Sequence, residues 1–105
     1  MEMIHQGEIL RLDLPSILIL VLSKDFFNRS GLAIACPIRQ DASEDALHIS
    51  VKAEKIQGTA MLEQMRSIDL RARYYSRIDM LDFEQIQNIT DAAQSIFDYY
   101  PFSQF

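Results

Sequence analysis

A chain of 105 residues, 49% hydrophobic and 24% charged, fits one globular domain spanning residues 1–105. A chain of this length buries roughly two thirds of the surface its unfolded form exposes, so it needs no disulfide or metal to hold together. The net charge of −5 counts against broad, sequence-independent nucleic-acid binding, which rests on Lys and Arg neutralising phosphates.

The single cysteine, Cys36, leaves no internal disulfide and points to a reducing cytoplasm. The N-terminal "MEMIHQGEILR" lacks the basic segment and apolar core of a signal peptide. No apolar run approaches the ~20 residues of a membrane helix, so no membrane partner is expected.

In chain order, residues 9–14 and 17–22 read as two strands separated by Pro15 and Ser16 alone. That spacing implies a tight hairpin, with Pro15 at the first central position of a type I turn. "KDFFNRSG" is a turn region carrying Asn28, Ser30 and Gly31. A third strand is expected over residues 32–36, ended or bent by Pro37. "RQDASED" is a polar loop. Leu47, Ile49 and Val51 alternate with His48 and Ser50, the pattern of a half-buried strand. Gly58 precedes a further strand candidate in "TAMLEQM". "SIDLRARYYSRIDML" reads as a short helical or irregular turn followed by a strand near residues 75–80. Asp82 and Gln85 form a candidate capping box. Phe83, Ile86, Ile89, Ala93, Ile96 and Tyr100 then recur on one helical face until Pro101 ends the helix. The sum is a small β-rich domain with a C-terminal helix.

The segments "GEILRLDL", "VLSKDFFNRSG", "ACPI" and above all "LEQMRSIDLRAR" carry a more specific signal. In this order, from about Gln6 to about Phe97, the chain resembles the MazF/PemK/Kid family of bacterial toxins. The resemblance implies a mainly β fold with a C-terminal α-helix, the SH3-like small β-barrel of CcdB, Kid and MazF. It implies a homodimer, the toxin half of a type II toxin–antitoxin pair, a cognate antitoxin, and metal-independent, sequence-specific endoribonuclease activity. CcdB shares that fold yet poisons DNA gyrase, so the fold alone does not fix the activity. The CcdB-type C-terminal Trp-Gly-Ile is absent from "YYPFSQF", so gyrase is not favoured as the target.

Two departures from the family pattern matter. Typical members join their first two strands by a long loop ending in Arg-Pro, and that arginine is catalytic. Here Ile17 and Leu18 stand at that place. The family's catalytic threonine in "CPIT" is replaced by Arg39 in "CPIR". Metal-free cleavage of RNA needs a base for the 2′-hydroxyl and a donor for the phosphate oxygens. The guanidinium of Arg39 can grip phosphate through two parallel hydrogen bonds, and Glu63, just before the glutamine of "LEQMR", can serve as the base. These two are the candidate catalytic residues. Arg11, Ser16, Arg66, Arg71 and Arg73 are the candidate RNA- or partner-binding residues.

Each has a plainer reading. Arg39 fits a solvated loop arginine paired with Asp41 or Glu44. Glu63 fits a group that holds the neighbouring turn. Arg66, Asp69, Arg71 and Arg73 fit an internal salt-bridge network or a dimer contact. Ser16 needs no role beyond the turn. His5 and His48 lack companions at ligand spacing, so no metal is expected, and no glycine-rich phosphate loop implies a cofactor. Two functions remain open: an endoribonuclease with an altered site, or a catalytically silent toxin-fold protein that engages an antitoxin or another protein target.

Overall fold

A computed structural model describes residues 3–97. Seven strands and two helices alternate as β1 (Glu8–Leu12), β2 (Ile17–Val21), α1 (Asp25–Asn28), β3 (Leu32–Arg39), β4 (His48–Lys52), β5 (Gln57–Met61), β6 (Arg66–Asp69), β7 (Tyr75–Met80) and α2 (Phe83–Gln94). Single 3₁₀ turns occupy Leu62–Gln64, Leu70–Ala72 and Ser95–Phe97. The strands form one antiparallel sheet in the order β4-β5-β3-β2-β1-β7, with β6 attached to β3 off that path. The expected mainly β architecture with a C-terminal helix is the one observed.

β3 is the axis of the molecule. One edge pairs with β2. Along the other edge, Leu32–Ala35 meet β6 and Ile38 and Arg39 meet β5, so the sheet forks. Successive side chains of a strand point to opposite faces, and each face of the fork has its own core. On one face Ile9, Leu20, Cys36 and Ile38 pack with Val51, Ala60 and Leu62 of the β4–β5 branch and with Ile89 of α2. On the other, Leu10, Leu12, Ile19, Val21, Ala33 and Ala35 pack with Ile68 and Leu70 of the β6 branch and with Ile4.

Four sequence expectations need correction. β3 does not end at Cys36 but runs on through Pro37 to Arg39. Cys36 and Pro37 fall between the β6 and β5 pairings, where no partner is present on that edge to miss the absent N–H. The β1–β2 hairpin is not a two-residue connection: Leu12 pairs with Ile17, leaving residues 13–16 as the loop. Pro15 does not open a type I turn, because the Leu14–Pro15 peptide is cis and Leu14 has φ of 51°. Residues 67–69, expected in a helical or irregular turn, instead belong to β6, whose four residues are too few to display a period.

The capping prediction holds at its first half. The Asp82 side chain accepts from the Gln85 N–H at 2.9 Å. The Gln85 amide, however, turns to β4. It accepts from Lys52 N at 2.8 Å and donates to Lys52 O at 2.7 Å, fastening the helix to the sheet. Ile89 is buried and Ile86, Ala92 and Ala93 pack against the first core, whereas Phe83 is exposed. Tyr100 and Pro101 lie outside the described residues, as do Tyr99 and residues 102–105.

Carboxylates tie remote segments together. Asp79 of β7 accepts from Lys55 N and Ile56 N in the β4–β5 turn, drawing the outer strands toward each other. Asp25 accepts from Gln6 N and lies 2.7 Å from His5 Nδ1. Burial works to raise the Asp79 carboxyl, but the backbone N–H groups of Lys55, Met80, Ile56 and Glu54 outweigh it and hold the group below its ordinary 3.8. The His5 ring and then the Gln6 N–H hold Asp25 below the same value.

A group whose folded pKa is depressed adds stability above its unfolded pKa and loses it as pH falls through the folded one. The melting temperature should therefore stay level above about pH 5 and drop as the pH falls below 3.8. Asp79→Asn should flatten that acid limb. A limb identical to wild type in Asp79→Asn would refute the assignment.

Candidate functional site

The β1–β2 loop and the C-terminal end of β3 enclose a groove of about 610 Å³. One wall is Pro15, Ser16, Ile17 and Leu18. The other is Pro37, Ile38, Arg39, Gln40 and Asp41. The pairing of Ile19 with Pro37 sets these two segments side by side. The structure thus brings Ser16 and Arg39 to one groove. Arg39 is exposed, and among the described residues its guanidinium has no ion-pair or hydrogen-bond partner. The expected pairing with Asp41 or Glu44 is not made; Glu44 instead accepts from Ser50 Oγ at 3.2 Å. Apart from Asp41, the groove offers no carboxylate or imidazole as a base.

A second cluster lies on the same sheet face, two strands away. Ile38 and Ala60 point into the first core, so Arg39, its partner Thr59 and Met61 project to the opposite side. His48 pairs with Met61 and shares that side. The 3₁₀ turn after β5 buries Leu62 in the core and turns Glu63 outward. Glu63 Oε2 then meets His48 Nε2 at 2.5 Å. The other ring nitrogen, Nδ1, lies 3.0 Å from Asp45 Oδ2. Asp45 Oδ1 in turn accepts from the N–H groups of Leu47 and His48, fixing the carboxylate at the entrance to β4. The result is a carboxylate–imidazole–carboxylate row at the surface. With strands ~4.8 Å apart and His48 two residues along β4 from Ser50, which is level with Arg39, the backbones of Arg39 and His48 stand roughly 12 Å from each other.

The remaining candidates separate. Arg66 opens β6 opposite Ala35, on the face shared by Arg39 and His48, and is exposed. Arg71 forks onto Asp69, with Nε–Oδ1 at 3.0 Å and Nη2–Oδ2 at 3.1 Å. Its stem covers Gly31, where an added Cβ would meet Arg71 Cδ at 2.4 Å. Arg71 thus has a structural partner, and Asp69 is held below its ordinary 3.8 chiefly by it. Arg73 is exposed beyond the second 3₁₀ turn, beside exposed Tyr74. Arg11 lies between Leu18 and Ser76, on the face opposite to Arg39.

Cys36 is fully buried, and burial pushes its thiol up to about 12, so it stays protonated and unreactive. Among the described residues, no group of three or more potential ligands is arranged to hold a metal. No helix among them is long and apolar enough to cross a membrane.

His48 and Asp45 are the site residues that sequence reasoning missed. Asp-x-x-His at the start of an alternating strand marks a local pair. Contact with Glu63, fifteen residues away, depends on a β4–β5 register that the sequence does not display.

The family described as PemK-like, MazF-like toxin of type II toxin–antitoxin system matches residues 5–97. No curated protein matches the chain. Among solved structures, MazF in the MazE–MazF complex of Deinococcus radiodurans (form II) is similar with a TM-score of 0.83 and 20% identity, over 95% of this chain and 100% of that one. MazF alone from the same organism (form I) gives 0.80 and 19%, over 92% and 98%. An endoribonuclease in complex with its cognate antitoxin, from a mycobacterial species, gives 0.79 and 13%, over 93% and 99%. At these identities the structural likeness establishes the fold, a curled antiparallel half-barrel with a C-terminal helix. The sequence match over nearly the whole described chain goes further: the protein belongs to the PemK-like, MazF-like toxins of type II toxin–antitoxin systems.

Proposed function

We propose that this chain is a cytoplasmic, homodimeric toxin that cleaves single-stranded RNA without a metal and is neutralised by a cognate antitoxin. One observation carries the reading: Glu63 and the unpaired Arg39 face the same side of the sheet, and Arg39 lines the groove of residues 15–18 and 37–41. Glu63 takes the proton of the 2′-hydroxyl. Arg39 and Arg66 hold phosphates on either side of it, and Ser16 contributes a donor at the groove wall. Three of the four residues 15–18 are apolar, and this wall suits an antitoxin segment that folds as it binds.

The test is a long mixed-sequence RNA incubated with the purified protein in EDTA and read on a denaturing gel. Discrete fragments are expected. Glu63→Gln should slow their appearance by about 10²–10⁴-fold, the span of general-base catalysis. Arg39→Ala should raise the RNA concentration needed for half-maximal rate. Intact RNA at high protein concentration would sink the ribonuclease reading. A second reading would then stand, a silent binder of an antitoxin or other protein, favoured by the groove's near lack of acid–base groups.

A further inference from the structure

The Asp45–His48–Glu63 row has more order than a surface staple requires. Both ring nitrogens of His48 are engaged, Asp45 is itself fixed by two backbone N–H groups, and the row faces the side of the sheet that carries Arg39 and Arg66. We infer that His48 is the general acid of RNA cleavage, paired with Glu63 as base and oriented by Asp45. This inference rests on the ribonuclease reading above.

The geometry assigns the parts. Asp45 on Nδ1 fixes the ring so that Nε2 faces Glu63. A phosphodiester entering between Nε2 and the Glu63 carboxylate replaces their direct hydrogen bond. The 2′-oxygen forms a bond to phosphorus and gives its proton to Glu63. The bond from phosphorus to the 5′-oxygen breaks, and that oxygen takes the proton from His48 Nε2. The products are a 2′,3′-cyclic phosphate and a 5′-hydroxyl. When they leave, the 2.5 Å contact re-forms and carries the proton from Glu63 back to His48, which resets both groups with no co-reactant. Asp45 touches no reacting atom and is a positioning residue.

The experiment begins by mapping a bond that the wild-type protein cuts in a long RNA in EDTA. Two short RNAs are then made around that bond, one natural and one with sulfur in place of the bridging 5′-oxygen. A thiolate leaves without being protonated, so the sulfur substrate bypasses a general acid. His48→Gln should cut the natural RNA about 10²–10⁴-fold more slowly than wild type. It should cut the sulfur substrate within about tenfold of wild type, while Glu63→Gln stays slow on both. Asp45→Asn should show a smaller loss on natural RNA that sulfur also relieves. Added imidazole should partly restore His48→Ala.

Melting curves of each variant separate a folding defect, which would slow both substrates equally. Equal loss on both substrates in a folded His48→Gln, or full activity in it, overturns the assignment and leaves the ribonuclease reading intact. No cleavage by the wild type overturns both.

Discussion

Asn28→Ala is expected to destabilise the protein by about 3 kcal/mol, measured by urea unfolding with the slope unchanged. Asn28 ends α1 and is almost wholly buried, a polar side chain with no route to water. Its Nδ2 donates to Ile4 O at 2.9 Å and to Ser23 O at 3.0 Å, and its Oδ1 accepts from Ser23 Oγ at 2.6 Å. That hydroxyl accepts in turn from Ile34 N at 2.9 Å. One amide thus ties the N-terminal segment, the end of β2 and β3 to the turn between them. Alanine leaves two carbonyls without their donor, and a buried group left unpaired costs roughly 1–3 kcal/mol. Ser23→Ala removes fewer of these bonds and should cost less. A loss below about 1 kcal/mol for Asn28→Ala would mean that water replaces the amide, contrary to the network described.

Gly7→Ala is expected to cost about 2–3 kcal/mol, from two separable sources. Gly7 has φ of 91°, where L-residues are strained, and an added Cβ would lie 2.3 Å from Ile86 Cδ1 and 2.7 Å from Ile86 Cγ1. The backbone there is committed on both sides. Gly7 N donates to Val21 O at 2.8 Å and Gly7 O accepts from Leu81 N at 3.0 Å, joining β2 to the start of α2. The chain therefore cannot relax to a negative φ without breaking a bond. Adding Ile86→Val removes the nearer clashing atom and should recover part of the loss, leaving the backbone share. If the double variant is no more stable than Gly7→Ala, the helix does not press on Gly7 as described.

Much of this architecture was legible in the residues. The alternation of Leu47, Ile49 and Val51 gave β4, the apolar run after Pro15 gave β2, and Asp82 marked the start of α2 within one residue. What escaped was non-local. Pro37 ordinarily stops a strand, and only the partner exchange on the edge of β3 makes it harmless. β6 follows an irregular turn and is held by β3, so nothing within its own four residues announces it. The fork of Arg71 onto Asp69 and the close approach of its stem to Gly31 depend on the geometry of the turn that joins them, which no spacing of residues displays. Resemblance placed Glu63 in view, but its partner His48 arrives through strand pairing, and pairing register is the quantity a sequence displays least.

The pairing of β1 with β7, Glu8 to Met80 at one end and Leu12 to Tyr75 at the other, has a consequence for the order in which the molecule is built. β1 pairs with β2 across a short loop. Its second edge stays open until β7 has been synthesised, and closing so long a loop is the slow, entropically costly part of folding. During translation the emerging chain therefore carries an unpaired strand edge until residues 75–80 clear the ribosome. Leu81, which follows β7 and leads into α2, bonds back to Gly7 just before β1. Completion of the domain is thus timed by its last strand.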